Sequence, residues 1–160
     1  MERKIEQPNP AEYGWIEDNL RKARELTGKT GAEEIPLDKL DEAFARWMDQ
    51  HDPKKEDPNP FINAFGIAFG QYLVDHDDMK WAVVIDDQGT EMAVHGKPGD
   101  VLIFPPNFVS KRYVSRQKNF FSLIYPEMKK DIERLKAQGK EELTALSPLG
   151  NLDKPWWKFW

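Results

Sequence analysis

The chain has 160 residues, of which 32% are charged and 39% hydrophobic, with six Trp and nine Phe, so it reads as one soluble globular domain with large aromatic anchors. The absence of Cys excludes disulfides, thiolate nucleophiles and Cys-based zinc sites, and no run approaches the roughly 18 apolar residues of a membrane span. The net charge of −5 argues against general nucleic-acid binding, although its distribution is uneven: residues 111 to 160 carry 11 basic and 6 acidic groups, whereas residues 61 to 110 carry 2 and 7.

The first ten residues, MERKIEQPNP, contain no apolar core of a leader, which makes a cytoplasmic location the default expectation. Asn9-Pro10-Ala11-Glu12 has the form of a capping box and predicts a helix whose buried stripe is Tyr13, Ile16, Leu20 and Ala23, with Gly28 as its stop. Gly28-Lys29-Thr30 has the look of a phosphate-loop ending. The first glycine of that motif would fall at Ala23, so the stretch reads as a plain loop. Asp38 is placed to cap a second helix to about His51, burying Leu37, Leu40, Phe44, Trp47 and Met48. A polar, proline-rich connector, residues 52 to 60, follows.

Residues 60 to 76 predict a central buried helix, with Asn59 as N-cap and Pro60 in the first turn. Phe61, Phe65, Phe69 and Leu73, together with Ile62, Ile67, Tyr72 and Val74, leave it almost no polar side. Gly66 and Gly70 cost helix stability, at about 1 kcal/mol each relative to Ala, and are read as seats for a close neighbour. The periodicity then becomes alternating. Trp81 to Ile85, Thr90 to His95 and Val101 to Phe104, separated by the turns Asp86–Gly89 and Gly96–Gly99, predict a three-stranded antiparallel meander. One face should rest on the central helix and the other should be partly exposed. Pro106 or Asn107 is expected to start a helix that buries Phe108, Val109 and Tyr113 and presents Lys111, Arg112, Arg116 and Lys118 to solvent. Phe120 to Tyr125 reads as helix or as a fourth strand, and Pro126 marks a kink or the start of a new helix. A short helix over Glu141 to Leu146 closes the pattern. The fold class is therefore α+β: one domain over residues 1 to 152, with a Trp-rich tail at 153 to 160.

The ordered set Gly66-x2-Phe69-Gly70-x2-Leu73, Trp81, Gly89-Thr90-Glu91-x-Ala93, Val101-Leu102-Ile103-Phe104-Pro105 and Lys111-Arg112 resembles a family of small bacterial domains of unknown function, the one numbered 3806, over about residues 36 to 128. The resemblance implies a bacterial cytoplasmic α+β domain and places Phe69, Gly70, Trp81, Phe104, Pro105, Lys111 and Arg112 in its framework. It implies no activity.

Candidate chemistry is sparse. There is no Gly-x-Ser-x-Gly elbow for a nucleophilic serine. Asp75, His76, Asp77 and Asp78 offer metal-ligand types, but neighbours on a helix end point in different directions, so a polar terminus is the plainer reading and no metal or cofactor is assigned. His95, out of phase with Met92 and Val94, should face away from the core on a solvated sheet surface. Lys111, Arg112, Arg116 and Lys118 are either a solvated face or a site for an anion or an acidic partner. Trp156, Trp157 and Trp160 either fold back on the domain or dock into a second molecule or a membrane surface. The reading that follows is a non-enzymatic binding or regulatory module, an immunity-type protein that neutralises a partner such as a toxin being one form. The alternative is a small-ligand protein or enzyme with a pocket between the exposed sheet face and the basic helix, using His95 with Lys111 or Arg112.

Overall fold

A computed structural model describes the backbone of residues 2 to 145 and the side chains of residues 2 to 140. The order is β1 (Lys4–Glu6), α1 (Pro10–Thr27), α2 (Leu37–Gln50), α3 (Asn59–His76), β2 (Lys80–Asp86), β3 (Gly89–Gly96), β4 (Val101–Ile103), α4 (Pro105–Ser115) and α5 (Phe121–Ala145). The α+β architecture is as the sequence indicates, but the sheet has four strands, in the order β1-β2-β3-β4, every pair antiparallel. The fourth is the N-terminal segment Lys-Ile-Glu, which pairs Ile5 with Val84. Three residues with one apolar side chain carry no periodicity, so only the long-range ladder defines them.

Local signals fix the first helix. The Asn9 side chain accepts from the Glu12 amide at 2.8 Å and the Glu12 carboxylate accepts from the Asn9 amide at 2.9 Å, satisfying two otherwise orphaned donors. Gly28 ends the helix at φ 71°, a left-handed conformation that suits a residue without Cβ. The other starts differ from expectation. Helix α2 begins at Leu37 behind Pro36, with Asp38 in its first turn rather than at the cap, and α3 begins at Asn59 behind Pro58. There the Asp57 carboxylate, two residues earlier, accepts from the Asn59 amide at 3.0 Å. Helix α4 begins at Pro105, directly against β4.

Helix α3 is the centre of the core, with Phe65, Ile67, Phe69 and Leu73 wholly buried. Its glycines are seats, as their spacing suggests. A Cβ on Gly66 would lie 2.6 Å from the Pro106 Cα, and one on Gly70 would lie 2.4 Å from the Trp81 ring and 2.9 Å from the Pro105 ring. Phe44, Phe65, Phe69, Phe108, Phe120 and Phe121 interlock around this helix in edge-to-face and offset pairs, among them Phe69 on Phe108 at 4.9 Å and Phe44 on Phe120 at 5.0 Å.

Helix α5 settles the ambiguous region: Phe121 to Ala145 is one helix that carries Pro126 near its start, not a strand and not two helices. Its N-terminus is anchored from outside. The buried Asp41 carboxylate of α2 accepts from the backbone amides of Phe121 at 2.8 Å and Ser122 at 3.0 Å, a negative charge at the positive end of the helix dipole. Further along, the buried Asp77 at the end of α3 accepts from the Tyr125 hydroxyl at 2.9 Å and the Lys129 ammonium at 3.2 Å, while Lys136 donates to the carbonyls of Asp77 and Asp78. Burial, then the bond to Asp77, raises the Tyr125 pKa, and the bond to Asp77 raises that of Lys129.

The sheet packs one face on the helices. Strand alternation turns Trp81, Met92, Val94, Val101 and Ile103 toward α3, α4 and α5 in the main core. The opposite face carries Val84, Ala93 and Leu102, at 2%, 0% and 1% exposed, together with the exposed Lys80 and Glu91, so it is partly exposed around a buried centre.

Candidate functional site

The concave feature with the most chemistry lies between α1, the loop before α2, and the flank of α3. It is a cleft of about 270 Å³, lined by Glu17, Leu20 and Arg24 from α1, Ala32 to Ile35 from the loop, and Ala68, Gln71, Tyr72 and Asp75 from α3. The helical spacing of Ala68, Gln71, Tyr72 and Asp75 puts one side of α3 into its wall. Gln71 is fixed in place, accepting from the Trp81 indole at 3.0 Å and donating to Asp75 at 2.9 Å. The Tyr72 ring is held by stacking on His76 at 4.2 Å and by the edge of Tyr125 at 5.1 Å, and burial raises its pKa. His76 in turn is hydrogen-bonded to Glu34, which ties the loop to α3. Arg24 brings a buried Nε with no acceptor, while among the described residues the Glu17 and Glu33 carboxylates make no ion pair within the chain.

A second, smaller cleft of about 190 Å³ lies among Trp15, Asn63, Glu91, Met92, Pro106 and Asn107. Trp15 is 38% exposed there and Tyr13 is similarly open, so the first helix buries Ile16, Leu20 and Ala23 as expected but not Tyr13.

The residues singled out in the sequence are not brought together. His95 is on the outer face of the sheet, bonded to Asp100 at 2.8 Å and with its side chain only 13% exposed, so it is not on an open solvated surface. Helix α4 packs on the other face, where Phe108 and Val109 join the core, and the strands therefore separate His95 from Lys111 and Arg112. Lys111 and Arg116 are exposed, but Arg112 is half-buried: its guanidinium lies 4.4 Å over the Phe108 ring, its Nε is buried without an acceptor, and burial lowers its pKa. Arg116 is the left-handed C-cap of α4, φ 58°, and Lys118 pairs with Asp49 of α2. Of the four cations, Arg112 is thus taken up by packing on Phe108 and Lys118 by the pair with Asp49, while Lys111 and Arg116 stay exposed. Trp156, Trp157 and Trp160 lie outside the described residues, as does the end of the short helix expected to reach Leu146.

Sequence reasoning missed His51, whose ring is 1% exposed. Its Nδ1 meets Glu56 at 3.0 Å and its Nε2 meets the Tyr113 hydroxyl at 3.0 Å, while the Trp47 indole donates to the same carboxylate at 3.3 Å. With Glu56 accepting from Nδ1, Nε2 accepts from Tyr113, and the bond from His51 lowers the Glu56 pKa. This carboxylate, imidazole and hydroxyl chain has the order of a hydrolytic triad, but its imidazole is packed 4.7 Å from Trp47 and lines neither cleft. It ties the 52 to 58 connector to α4. No local pattern pointed to it, because His51 and Tyr113 are 62 positions apart.

Among the described residues no group of three or more His, Asp or Glu is arranged to hold a metal ion, and no helix is long and apolar enough to cross a membrane. No curated protein matches the chain. A crystal structure from Bacteroides thetaiotaomicron VPI-5482, at 1.50 Å resolution, is similar in fold: the TM-score is 0.58 at 15% identity, over 73% of this chain and 43% of that one. The chain spans less than half the length of that protein, and the likeness speaks for the fold alone. The family model of a domain of unknown function, DUF3806, matches residues 40 to 121, from within α2 to the first residue of α5, which includes the α3 wall of the larger cleft but neither α1 nor the loop opposite. The chain belongs to the DUF3806 family.

Proposed function

We propose that the chain is a non-enzymatic binding module whose α1–α3 cleft receives a basic segment of a partner protein. The observation that carries this reading is the composition of the cleft wall: Glu17, Glu33, Glu34 and Asp75 surround a space of about 270 Å³. That volume is below the roughly 300–1,000 Å³ of small-molecule sites, and suits one long side chain better than a substrate with catalytic groups around it. Carboxylates converging on a concave surface concentrate cations there. The Tyr72 ring and Leu20 provide an apolar wall for the methylenes of a Lys or Arg, and the buried Arg24 Nε is a donor for a carbonyl of the incoming backbone. An immunity-type protein that neutralises a basic element of a toxin is one concrete form of this role.

A second reading rests on the excess of positive charge after Ser110, where Lys111 and Arg116 are exposed and would meet an acidic partner. Titrating the ¹⁵N-labelled protein with hexa-arginine and, separately, with hexaglutamate decides between them. Saturable shifts of Leu20, Arg24, Gln71 and Tyr72 with hexa-arginine, weakened by salt, are expected. The absence of saturable shifts there overturns the cleft reading, and hexaglutamate shifts at Lys111 and Arg116 would move the binding role to α4.

A further inference from the structure

We propose that the ligand of the α1–α3 cleft is the free carboxyl end of a chain that terminates in Arg or Lys, which rests on the reading of the cleft as a site for a basic segment. The observation is one cation among the acids of the wall. Arg24 stands in a cleft with Glu17, Glu33, Glu34 and Asp75, yet among the described residues it makes no ion pair, and its buried Nε has no acceptor. Two of those acids are engaged elsewhere, Glu34 by His76 and Asp75 by Gln71. A guanidinium keeps its charge at any working pH, so a half-buried one with no carboxylate beside it is a place for an anion from outside. An amide carbonyl would satisfy Nε alone. A carboxylate would also neutralise the charge and engage the fork of the guanidinium.

The order of groups along α1 supplies the rest of the ligand. Glu17, Leu20 and Arg24 stand at i, i+3 and i+7, which puts an acid, an apolar side chain and a base on one face of the helix, with the two charged positions about 10.5 Å apart along its axis. A terminal Arg or Lys has the complementary order: a cationic head, a stem of methylenes and an α-carboxylate at the other end. Laid along α1, its carboxylate meets Arg24, its stem runs over Leu20 and the Tyr72 ring, and its head meets the exposed Glu17 and Glu33. The surplus of acids makes the preference for a free carboxylate diagnostic. Four carboxylates against one guanidinium, in a chain of net charge −5, favour whichever peptide carries more positive charge, so the field of the protein alone prefers a C-terminal amide to the free acid. A direct contact at Arg24 reverses that order.

The test uses the full ¹⁵N-labelled chain and two probes, N-acetylated hexa-arginine with a free C-terminal carboxylate and the same peptide as its C-terminal amide. Followed by the backbone shifts of Leu20 and Gln71, the acid should bind about tenfold or more tightly than the amide, and the Arg24 Nε signal should move with the acid only. Arg24→Gln should abolish that preference while still binding the amide. Equal affinities, tighter binding of the amide, or a preference that survives in folded Arg24→Gln would each overturn the proposal and leave the cleft reading standing; saturable shifts from neither peptide would overturn both. If Arg24→Gln does not fold, the acid preference and the Nε shift of the unmutated chain decide.

Discussion

The two sides of α3 follow opposite rules. On one, Gly66 and Gly70 admit Pro106, Pro105 and the Trp81 ring so closely that a single added carbon has no room. On the other, Ala68, Gln71, Tyr72 and Asp75 line a cleft of about 270 Å³ shared with α1 and the loop before α2. The helix could have been packed tightly on both sides, since α1 lies close enough to bury Leu20 and Ala23 in the same core. The polar residues that keep the second side open are held by bonds within the fold, Gln71 by Trp81 and Asp75, and Glu34 by His76. The closed side is committed to stability, and the open side is the part of the helix available to something else.

The largest effect is expected on the closed side. Phe69→Ala removes a wholly buried ring stacked on Phe108 and should cost about 3–5 kcal/mol, measured by denaturant unfolding. Gly70→Leu should cost roughly 1–3 kcal/mol or more by overpacking against Trp81 and Pro105, and a native-like midpoint in that variant would mean that the two elements are not in contact.

A smaller effect is expected where α3 ends. The folded chain holds the protons of Tyr125 and Lys129 more tightly than the unfolded chain, which releases them near pH 10. Their stabilising contribution is therefore complete below about pH 10 and is lost as the pH rises beyond it. Unfolding midpoints followed from about pH 8 to pH 11 should fall, and Asp77→Asn should make that fall shallower. An unchanged slope would indicate that Asp77 does not couple to these groups.

What was legible in the sequence is what neighbours in the chain decide. The Asn9–Glu12 box, the Gly28 stop, the hairpin of β2 and β3, and the seating role of Gly66 and Gly70 each follow from residues a few positions apart. What escaped is decided across long separations. Asp41 reads as one more acid on a polar helix face, yet it caps a helix 80 positions away. Strand β1 exists because β2 offers Val83 to Ile85 as partners. The basic residues of α4 were legible as charges but not as contacts, since the ring beneath Arg112 and the acid beside Lys118 come from the packing. The cleft is assembled from α1, a loop and α3, and none of these carries a motif for it.

The smallest change in stability goes with the largest expected change in binding. Glu17→Gln and Glu33→Gln together remove two exposed charges from the cleft and should alter stability by less than about 0.5 kcal/mol. Measuring hexa-arginine affinity of this double variant by calorimetry is the most direct test of the proposed role of the cleft. A loss of about fivefold or more at an unchanged unfolding midpoint is the expected result. Undiminished affinity would contradict it.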